Sequence, residues 1–166
     1  DAIPEYVSPE AVAMFERFNV FSRSELESRK EIEYEIYAKT INIEARAMVD
    51  IATKQIVPAV IRYTTVLADS INSVRSACPQ APISVQTSLL KEVSACLEDT
   101  KVAMFKLQKT IDIAFAMERG EAQARYYREE VNTAMEELRK PVDRLEMMVD
   151  KSMWPMPSYG DLIFEV

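Results

Sequence analysis

Ile41-Asn-Ile-Glu-Ala-Arg-Ala-Met-Val-Asp-Ile-Ala-Thr-Lys-Gln-Ile-Val-Pro-Ala-Val-Ile-Arg-Tyr63 is the stretch on which the fold of this chain turns. Along it and just beyond, Ile41, Ala45, Met48, Ala52, Ile56, Ala59, Tyr63, Val66, Ser70 and Val74 recur at steps of three and four. That spacing keeps them on one face of a 3.6-residue helix, as a stripe that must be buried. The helical pattern reaches back to Ser22 and on to Cys78 without a glycine. Ser22 stands three residues before Glu25, a capping box in which each side chain satisfies the other's free N–H. At 1.5 Å per residue, a helix over 22–78 is about 80 Å long. Its only proline, Pro58, removes one hydrogen bond and crowds the carbonyl of Lys54. A kink is expected there, since the apolar phase continues across it.

Before this rod, residues 1–7 read as extended. Ser8-Pro9-Glu10 starts a short helix: Ser8 caps, Pro9 pre-sets φ and Glu10 complements the dipole. Val12, Phe15 and Phe18 are its inward residues, and it ends near Asn19. After the rod, Cys78-Pro79-Gln80-Ala81-Pro82 is a turn. Ser84 opens a second helix whose seam is Val93, Leu97, Thr100, Met104, Leu107, Ile111 and Ala114, in coiled-coil spacing. Gly120 is placed to act as its left-handed C-cap. A third helix, over about 121–151, buries Ala124, Tyr127, Val131, Ala134, Leu138, Val142, Leu145 and Val149, with a kink expected at Pro141.

The fold class is therefore all-α: an antiparallel bundle of three long helices with a short N-terminal helix and an extended C-terminal tail. One domain is expected, with a leading segment and short helix at 1–21, the bundle at 22–151 and the tail at 152–166. By helical rise the second and third helices are each about 50 Å long, so the rod overshoots them by about twenty residues. Ile32, Ile36 and Tyr37 lie in that overshoot and need another surface to cover them. The tail carries Pro155 and Pro157, which forbid helix, yet also Trp154, Tyr159 and Phe164. Such apolar content must dock, on the bundle or on a partner. These six residues are the interaction candidates.

Composition narrows the function classes. The chain has 166 residues, 48% of them hydrophobic, which is enough for one buried core. Its 27 acidic and 20 basic side chains give a net charge of −7. That balance disfavours nucleic acid and anionic membrane surfaces, and no apolar run spans a bilayer. With Cys78 ending one helix and the next starting near Ser84, Cys96 lies about 18 Å along it by helical rise, too far for a bridge, and free thiols fit a cytoplasmic setting. No signal peptide is visible, and the first residue, Asp1, suggests a piece of a longer protein.

Catalytic signatures are missing. There is no histidine, hence no Ser–His or Cys–His pair and no Glu-x-x-His metal motif. Glu44, Asp50, Glu136 and Glu137 fall mostly off the apolar seams and read as solvated. Glycines at 120 and 160 alone cannot build a phosphate loop. Tyr126, Tyr127 and Arg128 read as aromatic packing beside a seam, and Met147, Met148, Met153 and Met156 as gap-filling core. No catalytic, cofactor-binding or metal-binding residue is assigned.

Two stretches carry a resemblance. Lys39-Thr-Ile-Asn-Ile-Glu-Ala45 with Ile51-Ala-Thr-Lys-Gln-Ile-Val-Pro-Ala-Val60 is similar to the C-terminal region of type III glutamine synthetases. So is Pro141-Val-Asp-Arg-Leu-Glu-Met-Met-Val-Asp150, leading to Trp154-Pro-Met-Pro-Ser-Tyr-Gly-Asp161 and Phe164-Glu-Val166. The resemblance implies a large bacterial parent that ligates glutamate and ammonia with ATP and Mg²⁺, assembled as a dodecameric double ring of hexamers. Its catalytic and nucleotide-binding motifs are absent here, so this chain alone is expected to bind no ATP and catalyse nothing. The implied partners are its own catalytic domain and neighbouring subunits, with no nucleic acid or membrane. The role implied is structural. The alternatives are a regulatory module binding a ligand or protein, or an unrelated cytosolic helical adaptor.

Overall fold

Local capping chemistry sets most element boundaries. The computed structural model describes residues 2–157 and 159–164, with the backbone alone for 159, 160 and 164. Every regular element among these is helical. Ile3–Val7 forms a 3₁₀ helix, not the extended lead expected, because Pro4 sits in its first turn and Glu5 and Ser8 donate to the carbonyls of Ala2 and Glu5. Ser8 then caps α1 (Pro9–Arg17), its hydroxyl accepting from the Ala11 N–H at 3.3 Å.

Helix α1 ends in a Schellman motif. Asn19 takes φ +50°, Val20 donates to the Phe15 carbonyl and Asn19 to that of Glu16. This stop leaves Phe18 beyond the helical phase. It is 68% exposed, under the Arg17 guanidinium, rather than inward as its spacing suggested. Val12 is buried, and Phe15 meets Phe21 at 5.6 Å.

The capping box forms as expected at the start of α2 (Arg23–Ile51). The Ser22 N–H donates to Glu25 at 2.7 Å and the Glu25 N–H to Ser22 Oγ at 3.4 Å. A π turn over Ala52–Ile56 joins α2 to α3 (Val57–Ala77). In it the Val57 N–H reaches back five residues, to Ala52. Pro58 follows at once, and the wide turn relieves its crowding of the Lys54 carbonyl. The extra residue also advances the apolar phase. Leu67 is buried, while Val66, the stripe position expected, is 51% exposed.

Helix α4 (Ser84–Ala116) buries Val93, Thr100, Met104, Leu107, Ile111 and Ala114, with Leu97 partly buried. Its end corrects an expectation. The helix stops at Ala116, and Gly120 is not its C-cap but the N-cap of α5 (Glu121–Tyr126), with φ +127° and ψ −158°. L-residues rarely adopt that conformation, so glycine is needed for backbone reasons. Gln123 takes over the capping, its amide donating to the carbonyls of Ala114 at 3.0 Å and Met117 at 3.4 Å. A second π turn, Tyr127–Val131, leads into α6 (Asn132–Met148), which runs through Pro141.

Part of the tail is helical: α7 spans Tyr159–Phe164, where an extended segment was expected. Pro155 and Pro157 keep residues 154–157 out of a helix but place no restraint downstream of them.

The chain forms two compact units. One comprises residues up to Arg46 with Lys109–Thr133, and the other Ala47–Gln108 with the residues from Ala134 on. In the second, Ile56, Val60, Val93, Cys96, Leu145 and Val149 form a core on which Met153 and Trp154 pack. Burying each Val or Leu there contributes about 1.5–3 kcal/mol. The buried Cys96 thiol donates to the Pro141 carbonyl at 3.2 Å, and burial pushes its pKa up. Both cysteines are free. Lys151 and Asp161 pair at 2.6 Å, tying the first turn of α7 to the end of the preceding helix.

Candidate functional site

In the first unit, α2 has two contrasting faces. Leu26, Tyr34, Ala38 and Ala45 are buried along one. Ile32, Ile36 and Ile43 are 53%, 52% and 67% exposed, and their steps of four and seven place them together on the opposite side. The buried face shows that this half of the helix is not an uncovered overhang. Residues 117–120 run beside it, with Arg119 paired to Glu35 at 3.1 Å and Gly120 near Glu31. Arg46 lies over the Phe115 ring at 5.4 Å.

A cavity of about 290 Å³ opens in the same unit. Tyr34 and Tyr37 line it from α2, Glu121, Ala124 and Arg125 from α5, Arg128 and Glu129 from the π turn, and Ile3 and Pro4 from the 3₁₀ helix. The i,i+4 spacing on α5 lets Arg125 meet Glu121 at 2.8 Å. Tyr37 is reached by the Asn132 amide at 3.5 Å. Tyr34 is only 5% exposed, with its hydroxyl beside the Glu121 carboxylate. Burial first, then the charge of Glu121 and a hydrogen bond to it, then the charge of Glu31, raise its phenol pKa. Arg125 opposes this shift. Tyr34 therefore stays protonated and able to donate.

A smaller cavity of about 160 Å³ is lined by Glu35, Lys39, Phe115, Arg119, Gln123 and Tyr127, among others. Its polar groups are engaged with one another or with backbone: Glu35 holds Lys39 at 2.8 Å as well as Arg119, which keeps its carboxyl pKa low.

The six interaction candidates divide between the two units. Ile32, Ile36 and Tyr37 belong to the first unit, the two isoleucines facing outward and Tyr37 lining the larger cavity. Trp154 belongs to the second, packed on its core with the indole N–H buried and unpartnered. The side chains of Tyr159 and Phe164 lie outside the described residues. Tyr34, Glu121 and Arg125 were not singled out from sequence. The i,i+4 Glu121–Arg125 pair followed by Arg128-Glu129 was the visible signal.

Divalent metal, which the resemblance implies for a parent enzyme, does not fit these residues. Among the described residues no group of three or more His, Cys, Asp or Glu could hold a metal ion. Asp50 pairs with Lys54, and Glu137 with Lys106 at 2.5 Å. No helix of the described residues is long and apolar enough to cross a membrane.

The glutamine synthetase C-terminal domain family matches residues 1–75. The chain is 28% identical to a glutamine synthetase of Bacteroides fragilis over 99% of its length and 23% of that protein. It is 28% identical to a glutamine synthetase of Butyrivibrio fibrisolvens over 100% of its length and 24% of that protein. It is 29% identical to a type-3 glutamine synthetase of Dictyostelium discoideum over 99% of its length and 23% of that protein. The chain thus spans about a quarter of the length of these curated relatives. Over residues 1–75 the chain is thus similar to the glutamine synthetase C-terminal domain family, and along its whole length to these glutamine synthetases.

Proposed function

We propose that the chain is the helical C-terminal domain of a type III glutamine synthetase and that its role is structural, in subunit packing and ring assembly. The parent reaction is the ATP- and Mg²⁺-dependent ligation of glutamate and ammonia in the cytoplasm, carried by residues outside this chain. Its partners are the enzyme's own catalytic domain and neighbouring subunits of a dodecameric double ring. The type III assignment is supported by the type-3 relative, which aligns over nearly the whole chain. The antiparallel arrangement of α4 and α6 is supported by the pairs Lys106–Glu137 and Asp99–Arg144, whose numbers run in opposite directions.

The observation that carries the structural role is the row Ile32, Ile36 and Ile43. Three β-branched apolar side chains on one outward face of a well-packed helix are what a permanent interface leaves behind when its partner is removed. The test is sedimentation of the full-length enzyme with Ile32→Asp and Ile36→Asp, which should release smaller species. The 166-residue chain itself should form no glutamine.

A further inference from the structure

We draw no further inference here: the strongest candidate, the outward face of α4 in the second unit where Val102 and Phe105 stand 69% and 70% exposed, is an unpartnered apolar patch, and nothing in the structure shows what covers it.

Discussion

Gln123 closes the carboxyl end of α4 from a position seven residues beyond it, and it does so with one side chain. Replacing it with leucine strips the side-chain donor from both carbonyls and leaves that of Ala114 only the Met117 N–H, at 3.3 Å. An unmet buried group costs about 1–3 kcal/mol, so Gln123→Leu should lower the urea-derived stability by about that amount. Gln123→Glu should cost more, because a carboxylate would face carbonyl oxygens at the negative end of the helix dipole. Equal stability of the two variants would argue against the capping role. The buried phenols give a second residue-level expectation. Burial raises both Tyr34 and Tyr127 above the ordinary value of 10.0. A raised acid holds its proton longer in the native state than in the unfolded chain. Its contribution is therefore fully present below about pH 10 and lost as pH rises through the folded values. The urea midpoint should fall on this alkaline limb, and Tyr34→Phe with Tyr127→Phe should flatten the fall.

At the scale of elements, periodicity made most of the core legible. The α4 seam is buried from Val93 to Ala114 save for the partly buried Leu97, and the third seam from Ala124 to Val149 save for the partly buried Val142. Those stretches are legible because a 3.6-residue repeat has one face to bury. What sequence hid were changes of pitch and of capping. Pro58 announced a disturbance, but not that a π turn upstream would absorb it and exchange Val66 for Leu67. The exchange is testable: Leu67→Ala should cost about 2–4 kcal/mol, Val66→Ala no more than about 0.5. The reverse order would mean that the phase does not shift. Gly120 was legible as a special backbone position but not as an N-cap, since a glycine's place in the chain does not state which positive-φ region it occupies. The cavity was hidden for a similar reason. Tyr34 reads as one more apolar residue, and only packing shows its hydroxyl buried beside Glu121.

For the whole molecule, the feature that bears on function is the uncovered apolar row of Ile32, Ile36 and Ile43. Relatives four times its length carry the name of an enzyme, and the chain aligns along its full extent with a quarter of each. Ile32 and Ile36 contribute little to the chain's own core at 53% and 52% exposure. Aspartate at both should leave the chain folded, with an unchanged helical circular-dichroism spectrum. The direct measurement is sedimentation velocity of the full-length enzyme carrying Ile32→Asp and Ile36→Asp. Smaller species in place of the assembled ring are the expected result, and a ring sedimenting like the unsubstituted enzyme would contradict the structural role.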